Sequence, residues 1–143
     1  KNFYSEHLLD TTKPYDGVVK MLESFKGIKK AVLSNKSENF SKQILKELEL
    51  DRYFDGVYGG DSFVQKKPSA VPVCGIIKNF SLDKKNAVIV GDGVNDVLAG
   101  KNAGITTISA LYGYSSKQDI EKLNPDFIAG TTEDVVKILG GLK

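Results

Sequence analysis

The sequence predicts an α/β protein built on an open parallel sheet, and three observations carry that prediction. Short β-branched runs alternate with helical patterns from Tyr15 onward. The clearest run, "NAVIVG" (residues 86–91), is continuous and apolar on both faces, as strands buried between helix layers are. The connections are short, with no internal repeat and no low-complexity linker. At 143 residues the chain amounts to one domain with a substantial core.

Taken in order, "KAVLS" (30–34) reads as a buried strand. "SENFSKQILKEL" (37–48) then sets Phe40, Ile44, Leu45 and Leu48 on one helical face, with Ser37 as its N-cap. "DGVYGG" (55–60) is a short strand ending in a turn. "SAVPVCGIIKNF" (69–80) places Val73, Ile76, Ile77 and Phe80 on a second helical face, entered next to Pro68. After residues 86–91, "VNDVLAGKNAG" is a helix stopped by Gly104. "ITTIS" (105–109) and "DFIAG" (126–130) are further strands, and "EDVVKIL" (133–139) is a closing amphipathic helix capped by Thr131 or Thr132.

Composition excludes several function classes. With 41% hydrophobic and 27% charged residues the chain is not a disordered one. A net charge of +2 is too small to argue for nucleic acid or a membrane surface, and the Lys-Lys pairs are scattered. No apolar run approaches a membrane span. The single cysteine, Cys74, sits in an apolar helical stretch and reads as core packing; it fits a reducing, cytoplasmic setting. The lone His7 reads as helix surface or core edge.

In open α/β sheets ligands bind outside the carboxyl ends of the strands. Three segments there carry polar residues: "SNKS", "GGDSFVQKKP" and "GDGVND". Asp92 and Asp96 lie four apart where a strand gives way to a helix, so both carboxylates fall on one side of the first turn. Such a pair repels unless a cation or a lysine sits between, and Mg²⁺ is a natural partner. By spacing alone, a helix cap at Asp92 followed by a solvated first-turn acid fits equally well. Ser34 and Asn35, just past a buried strand, offer a hydroxyl and a backbone N–H as a phosphate-sized seat, or merely a cap. Lys67 precedes Pro68 and reads either as a point charge for a phosphoryl oxygen or as a surface lysine.

The order of these pieces resembles the haloacid dehalogenase-like (HAD) hydrolase superfamily: a hydroxyl after one strand, then Lys-Pro, then Gly-Asp-x-x-x-Asp after a later strand. Nearly the whole chain, including "GVNDVLAGKNAGITTISALYGY" and "NPDFIAGTTEDVVKIL", is similar to a phosphoglycolate phosphatase-type member. "GDGVND" also resembles the phosphorylation domain of P-type cation pumps, but the surrounding segments fit the small phosphatases better. The resemblance implies a three-layer Rossmann-like core, a small phosphorylated metabolite as substrate, and Mg²⁺ as cofactor. It implies that Asp92 ligates the metal and that Asp96 supports it or steers Lys67. Ser34, assisted by Asn35, would donate to a phosphoryl oxygen, and Lys67 would neutralise the transferring group.

One part of the family pattern is missing. The nucleophile and the general acid–base of the family lie in an Asp-x-Asp-Gly motif, and none occurs here. Asp10 and Asp16 do not stand in its place, and Ala70 stands where the family usually has proline. Residues 1–13 are therefore expected to be the end of a helical cap, and residues 14–143 a core without its first, central strand. That strand would lie between residues 30–34 and 86–91, leaving two inner edges unpaired. The expectation is a C-terminal part of a longer enzyme, inactive alone. The alternatives are a non-catalytic module that binds an anion or a protein partner, and an oligomer that supplies the missing strand.

Overall fold

The computed structural model describes residues 2–4, 17–91, 93–110 and 117–142. Among the described residues there are six strands: β1 (Asn2–Tyr4), β2 (Lys30–Leu33), β3 (Gly56–Tyr58), β4 (Val88–Gly91), β5 (Thr106–Ala110) and β6 (Phe127–Ala129). They form one sheet in the order β3-β2-β1-β4-β5-β6, with every neighbouring pair parallel. The helices are α1 (Val18–Glu23), α2 (Glu38–Glu47), α3 (Val71–Asn79), α4 (Val94–Ala103), α5 (Lys117–Glu121) and α6 (Thr132–Gly141).

Strand alternation sorts the core into two layers. Val32, Val88, Val90 and Ile108 turn to one face and pack with Met21 of α1 and Leu139 of α6. Ala31, Leu33 and Ile89 turn to the other and pack with Ile76 of α3 and Ala99 of α4. Side chains on both faces of β2 and β4 are buried, which explains why their sequences are apolar without alternation. This is the expected three-layer α/β architecture.

The helix ends follow local chemistry. The Ser37 hydroxyl accepts from the Phe40 N–H at 3.1 Å and caps α2. Thr131 does the same for α6 through the Asp134 N–H at 3.1 Å. Gly104 closes α4 with φ of 75°, a left-handed conformation that costs glycine nothing. Phe40 departs from expectation. It is half exposed in the first turn of α2, with the Lys36 ammonium 5.9 Å from its ring centre, while Ile44, Leu45 and Leu48 join the core.

The centre of the sheet corrects the expectation of a vacant strand position. Asn2–Tyr4, assigned from sequence to the end of a cap, lies there as β1. Phe3 is in register with Ala31 on one side and Ile89 on the other. The physical reason is that β2 and β4 would otherwise each present a row of unpaired backbone groups inside the molecule. The chain's own Asn2–Tyr4 occupies the position. The remaining residues of the expected cap, His7 and Asp10 among them, lie outside the described residues, as does Asp16 of the expected core. No helix among the described residues is long and apolar enough to cross a membrane.

Candidate active site

The carboxyl ends of β2 and β4 converge on a buried cluster. Ser34 follows β2 directly and is 4% exposed; its N–H donates to the Tyr58 carbonyl at 3.0 Å, extending the β2–β3 ladder by one residue. Its hydroxyl accepts from the Lys36 N–H at 3.1 Å, so the chain turns tightly around the side chain. Asn35 reaches across to the next loop and donates through Nδ2 to the Lys67 carbonyl at 3.1 Å.

Lys67 is 8% exposed, which removes the surface-lysine reading. Its Nζ donates to the Leu33 carbonyl at 3.1 Å and to Asp96 Oδ1 at 2.6 Å. The ammonium thus runs from the last residue of β2 to the first turn of α4, across the line of β1. Asn102 of α4 holds the same loop by donating to the Pro68 carbonyl at 2.9 Å. A charge this deep persists because an opposite charge and a carbonyl replace its water.

Asp96 is 3% exposed and has a second task. Its Oδ2 accepts from the Gly93 N–H at 3.1 Å, the carboxylate half of a capping box at the start of α4. Gly91 is required beneath it, because a Cβ there would run into the Asp96 carboxylate. With Lys67 on one oxygen and Gly93 on the other, Asp96 has the geometry of a residue that steers the lysine.

The loops that carry these groups are tied together. Glu38 accepts from the Ser62 hydroxyl at 2.8 Å and from Lys42 at 2.7 Å, and Ser62 in turn accepts from the Gly59 N–H at 2.7 Å. The Lys42 ammonium, aided by the Ser62 hydroxyl, holds the Glu38 carboxyl below its ordinary value of 4.5. The Glu38 N–H donates to Asp61 at 2.7 Å.

Of the five residues expected at the site, the structure brings Ser34, Asn35, Lys67 and Asp96 together; Asp92 lies outside the described residues. Sequence reasoning missed the Leu33 carbonyl and Asn102, because neither a backbone acceptor nor a helical asparagine leaves a sequence signal. Among the described residues no group of three or more His, Cys, Asp or Glu side chains could hold a metal. Mg²⁺ asks less than that: one or two carboxylates, several waters and a substrate phosphate satisfy it. In the sequence Asp92 stands four residues before Asp96, and a carboxylate pair is a donor set of that kind.

A parallel sheet with a buried lysine–carboxylate pair and a hydroxyl at its strand ends defines an α/β protein whose polar groups stand where open sheets of this kind bind their ligands. A family model described as "Haloacid dehalogenase-like hydrolase" matches residues 1–110. The phosphoglycolate phosphatase of Aquifex aeolicus is 42% identical, the match covering 97% of this chain and 65% of the relative. That of Neisseria meningitidis is 35% identical over 96% of this chain and 60% of its own length. A crystal structure of a predicted phosphoglycolate phosphatase from Haemophilus somnus superposes with a TM-score of 0.83 and 32% identity, covering 88% of this chain and 57% of the other. A haloacid dehalogenase-like hydrolase from Streptococcus pneumoniae, 21% identical with a TM-score of 0.81, shares the fold over 89% of this chain and 60% of its own. The chain belongs to the haloacid dehalogenase-like hydrolases, and it is similar to phosphoglycolate phosphatases among them. It spans roughly 60–65% of the length of these two phosphatase relatives.

Proposed function

We propose that the chain serves a Mg²⁺-dependent phosphatase of small phosphomonoesters, phosphoglycolate-like in substrate. The observation that carries this reading is the buried Lys67–Asp96 pair at 2.6 Å, set beside Ser34 at the strand ends. It is supported by the names of the relatives, which are phosphoglycolate phosphatases.

In this reading the Ser34 hydroxyl and the N–H of Asn35 donate to phosphoryl oxygens. Lys67 neutralises charge on the transferring group, and Asp96 keeps its ammonium in place. Mg²⁺, held by Asp92 with Asp96, would draw charge from the phosphoryl oxygens. A carboxylate oxygen attacks phosphorus, the ester P–O bond breaks, and the alcohol leaves with a proton from a second acid. Water then hydrolyses the acyl phosphate, releasing inorganic phosphate and the free carboxylate. Both carboxyl groups are assigned to a segment outside these 143 residues, because no Asp-x-Asp-Gly sequence occurs within them. On this reading the 143 residues alone do not turn over substrate.

A second reading has its own observation. β1 occupies the centre of the sheet with Asn, Phe and Tyr and no carboxylate, which favours a module that binds an anion without transferring it. Phosphate release from 2-phosphoglycolate by the complete protein, with and without Mg²⁺, separates the two. The enzyme reading expects Mg²⁺-dependent release that falls by about 10²–10³ in Lys67→Met. No release by the complete protein, or an unaffected Lys67→Met variant, overturns it.

A further inference from the structure

The opposite end of the sheet carries a cavity that the phosphatase reading does not use. It has a volume of about 530 Å³ and opens at the amino end of β2, between the end of α1 and the segment before β3. Leu22, Ile28, Tyr53 and Phe54 make its walls apolar and aromatic. Its charged residues are Lys26, Lys29, Lys30 and Arg52 against Glu23 and Asp55, four cations to two acids.

The acids are fewer than the cations, and Glu23, with Glu49 nearby, acts on Arg52. Asp55 is engaged in structure, accepting from the Lys30 N–H at 2.8 Å and lying 4.0 Å from Lys29. Lys30 is 7% exposed, its ammonium fixed at the floor by the Phe25 carbonyl at 2.6 Å and the Ile28 carbonyl at 3.0 Å. Among the described residues the Lys30 ammonium is held by carbonyls, and Asp55, which accepts from the Lys30 backbone N–H, acts on that charge from farther off. At the rim, Lys26 is exposed, and Arg52 lies 5.0 Å over the Tyr53 ring while donating to its hydroxyl at 3.1 Å. With one terminal N–H on the Tyr53 hydroxyl, the guanidinium keeps further N–H donors, the groups that grip a phosphate.

We propose that this cavity is a second anion site, taking a phosphorylated small molecule with a planar body, of the nucleotide class. The volume falls within the range of small-molecule pockets, and the lining mixes apolar walls with a few convergent charges as such pockets do. The phosphate would meet Lys26, Lys29 and Arg52, and the planar body would lie against Tyr53 and Phe54.

The test is a titration of the full chain with AMP, and separately with inorganic phosphate and adenosine, followed by amide chemical shifts. The expected result is saturable AMP shifts at residues 26–30 and 52–55. Affinity should fall at least roughly tenfold for phosphate or adenosine alone, and likewise in the exposed-residue variant Lys26→Glu/Arg52→Glu. Shifts confined to residues 34–36 and 67, an unchanged affinity in the double variant, or phosphate binding as tightly as AMP would each overturn the proposal. Phosphate release by the complete protein stays unchanged in the double variant, so failure here is distinguishable from failure of the phosphatase reading.

Discussion

Lys67 and Asp96 are the residues on which the site depends, and their burial makes them testable by stability as well as activity. Replacing Lys67 by methionine leaves a buried carboxylate without its cation, a change expected to cost about 3–5 kcal/mol in denaturant unfolding. Adding Asp96→Asn to that variant should recover part of the loss, because the uncompensated charge is gone. Gly91→Ala drives a methyl group into the Asp96 carboxylate and should destabilise by about 1–3 kcal/mol. Lys30 supplies a pH test at the other end of β2. Burial lowers its pKa from 10.5, with Asp55 opposing the shift, so the unfolded chain holds that proton more tightly than the folded one. Stability from this group therefore rises as pH climbs from the folded value toward 10.5. Wild-type protein should gain on Lys30→Met over that interval in pH-resolved melting; a gap that narrows instead contradicts the assignment.

At the scale of elements, the loops after β2 and β3 act as one unit through Glu38, Ser62 and Gly59. Because the Glu38 carboxyl is held below 4.5, its contribution is present above that pH and lost as pH falls through the folded value. Glu38→Gln should remove that acid-side dependence from the melting curve and lower neutral-pH stability by the same small amount, since the side chain is over a third exposed. Ser37→Ala removes the α2 cap and should cost about 1 kcal/mol by chemical denaturation. The elements also show what sequence can and cannot carry. "KAVL" and "VIVG" announce themselves because strands buried on both faces need unbroken apolar runs. Helix α1 has six residues and no side-chain cap, and α5 has five, too short for a period to register. β1 is invisible for a different reason: three residues carry no alternation, and only the open edges of β2 and β4 select them. Phe40 was misplaced because an apolar face continues past the point where the core ends.

For the whole molecule, one parallel sheet carries two unlike ends, a buried lysine–carboxylate cluster at its carboxyl edge and a basic aromatic cavity at its amino edge. The candidate site was legible as a set of residues, because Ser34, Lys67 and Asp96 follow strands that had to be parallel. Its wiring was not legible, since whether Asp96 meets a metal or Lys67 depends on how the loop after β3 folds back over β2. The measurement that bears most directly on the site is a crystal structure of the complete protein with Mg²⁺ and orthophosphate. The account predicts phosphate oxygens within about 3 Å of Ser34 Oγ and Lys67 Nζ, with Asp96 still bonded to the lysine. An ordered phosphate elsewhere, with Ser34 and Lys67 making no contact to it, would contradict the account.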